Sequence, residues 1–507
     1  MSIVFKWAGR FYFEVLCSKA NKMHLSLFAS MLLLLAAAPI ARAQQPLLET
    51  IDKVENHLYP AVVIADQAPL NIYDRMKKWH VPGMSVAVID KAGLAWAKGY
   101  GCRSAGSPSD LVDTATLFQC ASIGKVITAV AALHLVMEGK IGLDEDVNHK
   151  LIHWKIPESP YTTTTKVTLR MLLSHSAGLT DNYGFPGYIP YSPLPSLQQI
   201  LAATAPANNK KQLTIDRLPG SSVAYSGGGY MIIQQLIEDL VQMPFEAYVT
   251  ETVFKPFAML HSTYEHYPDV VLHKPIAQAH KDNGTSYATF RYKVYPEAAA
   301  AGPWTTATDL CRLVIGLQQI KDGLPSPVVN KQLVDTMLYP LINAKGLGVN
   351  LKGNDKVVGF WHSGNTEGYT GVLMSITATG QGAVVLTNAN SGEWLALEML
   401  RSIAMVYDWP LQLSLRPLAV DSMEKYCGDF MLQDKGFLKI YLKKGNLFFK
   451  RNGKGKAFRL YKISDGSFRI AEKPDNMSFV FVEDEKGIVT GLDMYENAGQ
   501  VLKMIKQ

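Results

Sequence analysis

Residues 118–139 read FQCASIGKVITAVAALHLVMEG, with Ser122 one helical turn before Lys125 at the mouth of an otherwise apolar helix. From Val126 to Val136 the run is apolar nearly all round, which predicts a buried helix over Ser122 to Glu138, stopped at Gly139. An ammonium in such surroundings is costly unless it reaches water, finds partners or serves the chemistry. Spacing i, i+3 puts both side chains on one helical face, with the lysine nitrogen able to reach the serine oxygen. Ser122 also stands at the helix end where the dipole favours developing negative charge. The plain alternative is an N-capping serine beside a lysine that snorkels to solvent. A second Ser-x-x-Lys, Ser422 to Lys425, has polar neighbours and no companion motif, and it is set aside.

Working outward, "GMSVAVIDKAGLAWAKGYG" predicts a hairpin around Asp90-Lys91-Ala92-Gly93. Upstream, apolar residues spaced through Leu48 to Met76 predict a helix. Residues 182–222 are rich in Pro, Gly and Tyr and read as loop, with a short helix near Leu197 to Ala203. Further helices fit Gly229 to Val241 and Thr306 to Ile320, and strands fit Gly371 to Thr377 and Gly382 to Thr387. Past Pro410 the texture changes to short alternating runs ("FLKIYL", "LFFKR", "FRLYKI", "FVFV", "VLKMI"), the pattern of a small antiparallel sheet or barrel.

At 507 residues the chain is long enough for two or three domains. Lys19 and Lys22 precede the apolar run LSLFASMLLLLAAAPI, which ends at Ala41-Arg42-Ala43, so residues 1–43 read as a cleavable export signal with Met23 as a plausible start. The run is shorter than the ~20 residues a membrane span prefers. The expected divisions are the signal over 1–43, a main domain over 44–410, a linker over 411–419 and a β-rich accessory domain over 420–507. Of the formal charge of +6, most resides in the signal; without it 45 basic residues face 43 acidic ones, scattered rather than clustered, which argues against nucleic acid as a partner. Four cysteines follow the signal, too few for a disulfide framework. Buried thiols are expected, with Cys102 and Cys120 the pair to test for a bridge. No H-E-x-x-H or other metal-ligand cluster, no phosphate loop and no G-x-S-x-G elbow occurs, so neither metal nor cofactor is expected.

Two downstream motifs change the weight of Ser122 and Lys125. "GSSVAYSGGGYMIIQQLIE" places Tyr225 before a glycine run that opens a helix, and "GFWHSGNTEGYTGVLMSI" places His362-Ser363-Gly364 before a strand-like segment. Serine with lysine, then tyrosine, then a basic residue-x-Gly resembles the layout of the penicillin-recognising serine hydrolases. The chain is similar to the beta-lactamase-related family of class C beta-lactamases, D-alanyl-D-alanine carboxypeptidases, D-aminopeptidases and related esterases. The likeness runs from about residue 70 to 405, with "VPGMSVAVID", "MEGKIGLDEDV", "VTLRMLLSHSAGL" and "GPWTTATDL" agreeing along the way.

The resemblance implies an α+β fold: an antiparallel sheet flanked by helices, a helical subdomain, and the site between them. It implies a bacterial enzyme, periplasmic or secreted, that hydrolyses an amide or ester of a small molecule or peptide through an acyl-enzyme. No membrane span would remain after cleavage. Ser122 would be the nucleophile, Lys125 its base, and Tyr225 a partner that returns the proton. Lys125 and a protonated His362 would supply the positive charge Tyr225 needs. The backbone amides of Ser122 and Asn365 would form the oxyanion hole, with Gly364 and Gly368 letting substrate lie against the strand edge. His175 in "LLSHSAGL" is expected to be structural. Two departures matter: His362 stands where many beta-lactamases carry lysine, and Tyr225-Ser226-Gly227 lacks the asparagine that usually closes the second motif. Rival readings are a carboxylesterase or D-peptidase with little beta-lactamase activity, and a non-catalytic module that holds cell-wall peptides or beta-lactams.

Overall fold

In a computed structural model, the described residues are 45–63, 68, 70–179, 186–209, 211–353, 356, 358–411, 413–418, 422–432, 436–470, 477–496 and 500–507. The export signal expected over 1–43 lies outside them. Residues 45–56 form a helix in a compact unit of their own. The single helix expected through Met76 is not formed. Helix α1 spans Ile72–Trp79, capped by Asn71, whose side chain accepts from Tyr73 N. Pro60 and Pro69 lie between the two helical stretches, and a helix interior tolerates neither.

The hairpin forms as expected, from β1 (Gly83–Asp90) and β2 (Gly93–Gly101). Its turn residues Lys91 and Ala92 both adopt left-handed backbone, the geometry a two-residue hairpin needs. These strands join β3 (Asn350–Lys352), β4 (Gly359–Thr366), β5 (Tyr369–Ile376) and β6 (Gln381–Thr387) in an antiparallel sheet ordered β2-β1-β6-β5-β4-β3. Strand β1 is buried from Gly83 to Ile89 without alternation, so both of its faces are covered. Among the covering elements are α4 (Ala307–Lys321) and α5 (Gly392–Val406). Helix α5 is tied to α1 by a buried pair: Arg75 Nε donates to Glu398 Oε2 at 2.7 Å, and Trp79 Nε1 donates to the same oxygen at 3.2 Å.

Helix α2 (Gly124–Met137) and helix α3 (Gly227–Val241) form the centre of the helical part. Helix α2 is buried from Gly124 to Leu133, as its sequence predicts, and Gly139 follows it in the left-handed conformation. Strand β4 lies against the turn that leads into α2, and that contact places the site between sheet and helices.

Residues Gly428–Lys506 supply eight strands that close into a barrel. Alternate positions point inward, among them Phe430, Leu438, Ile440, Leu447, Phe449, Phe468, Phe479 and Leu492, and they fill it with a core of its own. Before the barrel, Leu415 bridges to Val62, and Leu418 N donates to Lys462 O at 2.8 Å. No helix among the described residues is long and apolar enough to cross a membrane.

Candidate active site

Ser122 is presented by a tight turn. The short strand Phe118–Gln119 pairs with Trp304–Thr305, then the chain reverses at Cys120 and Ala121. Ala121 has φ +51°, a conformation that costs a residue with a Cβ roughly 1–2 kcal/mol. A 3-10 turn over Ala121–Ile123 follows, and Gly124 opens α2. Two glycines allow the close packing here. A Cβ on Gly124 would fall 2.8 Å from Pro303 Cγ, and one on Gly364 would fall 2.1 Å from Cys120 O. Gly364 therefore serves the packing of β4 on the serine's own turn. Gly368 is likewise occupied with the protein itself: its φ is +90°, and a Cβ there would lie 2.2 Å from Ala279 Cβ.

Lys125 is 1 % exposed and does not snorkel. Its Nζ donates to Ser122 Oγ at 3.1 Å and to the carbonyl of Ala300 at 2.7 Å. Its Nζ also sits 5.0 Å from the centre of the Tyr225 ring and 5.3 Å from that of Tyr230, between two aromatic faces. Lys425 of the second Ser-x-x-Lys pairs instead with Glu483 at 2.8 Å.

Tyr225 stands just before α3, whose first turn is capped by Ser226 Oγ accepting from Gly229 N at 2.8 Å. The Tyr225 hydroxyl is buried and has no hydrogen-bond partner among the described residues. Its position is fixed by "LLSHSAGL". Ala224 N donates to His175 O at 2.9 Å, Ser226 N donates to His175 Nδ1 at 3.2 Å, and the His175 ring lies 4.4 Å from the Tyr225 ring. Burial, with the charges of Lys125 and Lys345, holds His175 well below the ordinary histidine range, so the ring is neutral. A neutral ring with an accepting Nδ1 positions the second motif. Its role is structural, as the sequence suggests.

The third motif lies within β4 rather than ahead of a strand. His362 and Gly364 point inward, while Ser363 and Asn365 are exposed. Beyond Trp361 the outer edge of β4 pairs with no other strand among the described residues, and that edge lies against the turn that carries Ser122. His362 does not carry the charge expected of it. It is buried, its Nδ1 donates to Ser363 O at 2.6 Å, and burial, then Lys125, push its pKa down to about 3. The cations that act on this histidine are Lys125 and Lys345, and Lys345 has no motif to mark it. Lys345 bridges to Asn350, donates to its side chain, and is itself partly buried. Cys102 and Cys120 are free thiols, and burial pushes Cys120 up to about 12. No cluster of metal-ligating side chains occurs among the described residues.

A serine on a strained turn, a buried lysine and a tyrosine, set between an antiparallel sheet and helices, make up the fold of beta-lactamases and penicillin-binding proteins. The Beta-lactamase family model matches residues 71–407, and the chain belongs to that family. Among curated relatives, Protein flp of Staphylococcus aureus (strain N315) is 22 % identical over 328 residues, covering 62 % of this chain and 61 % of that protein. The chain thus spans about three fifths of that relative's length. The unguisins hydrolase ungD' of Aspergillus campestris (strain IBT 28561) is 26 % identical over 338 residues, 62 % of this chain and 60 % of the relative. The octameric penicillin-binding protein homologue from Pyrococcus abyssi superposes with TM-score 0.55 at 19 % identity, covering 86 % of this chain and 98 % of that one.

Proposed function

We propose that the chain is an exported serine hydrolase that opens an amide or ester bond through an acyl-enzyme on Ser122. The observation that carries this reading is the 3.1 Å contact between Ser122 Oγ and the Nζ of a lysine sealed from water. In the proposed sequence Ser122 Oγ attacks the acyl carbon and passes its proton along the contact to Lys125. Tyr225, whose hydroxyl has no other protein partner among the described residues, relays that proton to the leaving group. The tetrahedral oxyanion is held by the backbone amides of Ser122 and Asn365, donors usually worth about 2.7–4 kcal/mol each. Water then releases the acyl group by the reverse route. With His362 neutral, Lys125, 5.0 Å from the Tyr225 ring, carries the positive charge beside that phenol once it has taken the serine proton.

Gly227 in place of the usual asparagine removes a hydrogen bond to an acylamino side chain, worth about 1.5–3 kcal/mol where a charged partner is involved. Beta-lactam turnover is therefore slow, and short esters or small peptides are the better acyl donors. The test is labelling with a fluorophosphonate and a fluorescent penicillin, read by intact mass. Wild type gains one adduct, and Ser122→Ala loses both labelling and hydrolysis while staying folded. Adducts on Ser226 or Ser363 in that variant would refute the assignment. Binding of penicillin without any covalent adduct would favour the non-catalytic reading.

A further inference from the structure

Gln234 is 4 % exposed on α3, among Ile232, Ile233, Leu236 and Ile237, where an amide side chain is costly unless its polar atoms are used. Both are used. Its Nε2 donates to Glu238 Oε1 at 3.3 Å, and its Oε1 accepts from Ala299 N at 3.1 Å. Thr128 is buried on α2, one turn after Lys125, and its Oγ1 donates to Ala299 O at 2.8 Å. Side chains from two helices thus grip both backbone groups of one residue.

The neighbour of that residue is the one that meets the lysine. Ala300 O accepts from Lys125 Nζ at 2.7 Å, so Lys125 and Thr128, on one face of α2, donate to consecutive carbonyls. Ala299 and Ala300 lie in the short helical turn Ala298–Ala301, four alanines with no side chain able to anchor it. Its later amides are spent locally. Ala300 N and Ala301 N donate to the carbonyl of the buried Glu297 at 3.1 and 2.9 Å, and Gly302 N donates to Ala298 O at 3.0 Å. Ala299 N is a first-turn amide, which a helix leaves without an acceptor of its own, and Gln234 supplies one.

We propose that Gln234 and Thr128 are positioning residues for Lys125: by fixing Ala299 they fix the direction of Ala300 O, and that carbonyl turns the amine so that its lone pair faces Ser122 Oγ. This rests on the Ser122 reading given above. To take the serine proton, the neutral amine must keep one N–H on Ala300 O and present its lone pair along the 3.1 Å contact. The step breaks the Ser122 O–H bond and forms a third N–H bond on Nζ, and the ammonium so formed keeps Ala300 O as an acceptor. Helix α3 then sets both proton carriers: Tyr225 stands just before it, and about two turns in it carries the amide that aims the lysine.

The test measures, per folded enzyme, the rate of Ser122 labelling by a fluorophosphonate, and kcat and KM on p-nitrophenyl acetate. Gln234→Met keeps the length of the side chain and loses the acceptor. Thr128→Val keeps the shape and loses the donor, which Thr128→Ser retains. Gln235→Met is the control, because it breaks a buried bond on the same helix, from Gln235 Nε2 to Asp239 Oδ1 at 2.9 Å, away from the lysine's carbonyl. Gln234→Met and Thr128→Val should each label and turn over about tenfold more slowly, part of the ~10²-fold that a misplacement of about 1 Å costs. KM should stay within about twofold, since acylation and deacylation use the same contact. Thr128→Ser should return to within about threefold of wild type, and the double variant should lose less than the product of the single losses, because both act through Ala299. Gln235→Met should lose stability and label at the wild-type rate. Wild-type labelling in Gln234→Met and Thr128→Val, an equal loss in Gln235→Met, or a Thr128→Ser as slow as Thr128→Val overturns the proposal. If Gln234→Met does not fold, the comparison of Thr128→Val with Thr128→Ser decides. A wild type that gains no adduct on Ser122 sinks the hydrolase reading instead, and that result is read before any variant.

Discussion

Gly364→Ala tests whether the approach of β4 to the serine turn sets the catalytic geometry. The added Cβ would lie 2.1 Å from Cys120 O and 3.2 Å from Ala121 Cβ. Ordinary contact begins near 3.4 Å, so turn and strand must part by about 1.3 Å along that line. Neither side yields freely. The turn is committed at Ala121 and braced by Pro303 behind Gly124, and β4 is paired through Gly364 and Gly371 to the interior of the sheet. A shift of that size between the nucleophile and the amide of Asn365 is expected to cost about 10²-fold in rate, with about 1–3 kcal/mol of stability lost to overpacking. The assay pairs kcat/KM on p-nitrophenyl acetate with the fluorophosphonate labelling rate and the denaturant midpoint. Gly368→Ala is the control: it strains φ +90° and presses on Ala279, so it should cost stability while the surviving folded protein labels at the wild-type rate. A Gly364→Ala enzyme within about threefold of wild type at unchanged stability would refute the argument that this contact positions the site.

Four further outcomes follow from buried charge. Glu398→Ala strands the Arg75 guanidinium and should cost about 3–5 kcal/mol by urea denaturation; a loss below ~1 kcal/mol would mean that water replaces the pair. Glu297 in the unfolded chain ionises near 4.5 and in the folded chain near 8, so folding stability is lost as pH rises between those values. Glu297→Gln should therefore gain on wild type by roughly 1.4 kcal/mol per pH unit across that window, about 3 kcal/mol at pH 7, and a difference independent of pH would contradict the buried neutral acid. Lys345→Met should raise KM for carboxylate-bearing esters by about fivefold, the weight of a partly screened charge near 1 kcal/mol, and leave neutral esters alone. With His362 neutral down to about pH 3, that KM should show no step between about pH 6 and 8 attributable to the imidazole, and a midpoint near 6.5 abolished by His362→Gln would restore the charged reading.

Much of this architecture was legible because it depends on short-range pattern. The apolar run after Lys125, the turn at Asp90 to Gly93 and the alternation of "FLKIYL" and "LFFKR" each declare one element, and each forms. Strand β4 was harder. In "GFWHSGNT" the inward positions are Phe360, His362, Gly364 and Thr366, so its alternation shows only if a histidine and a glycine count as core. Helix α5 is absent from the expectations for a similar reason. Its buried face carries Glu398 and Arg401 beside Leu395, Met399 and Ile403, which blurs the apolar stripe. The charge of His362 lies beyond any local reading, since it depends on burial by β5 and on two lysines remote in sequence. Glu297 in "YPEAAAAG" reads as an ordinary loop acid, and only tertiary packing reveals that it has no partner.

The two departures from the family pattern gain meaning when set beside these charges. A neutral imidazole at the third motif and Gly227 at the second withdraw two groups that would recognise the carboxylate and acylamino arms of a beta-lactam. Ser122, Lys125 and Tyr225 nonetheless stand together in contact, and Lys345 acts on the same histidine. What changes is the charge around the site, where Lys345 stands as a cation that no motif marks. A carboxylate drawn to Lys345 would favour acyl donors with a free carboxyl end, and blocking that end should lower kcat/KM. That expectation separates Lys345 from the nucleophile. Amidating the carboxyl end should erase the effect of Lys345→Met, and an equal loss in that variant with free and amidated donors would show that the residue acts only through the fold.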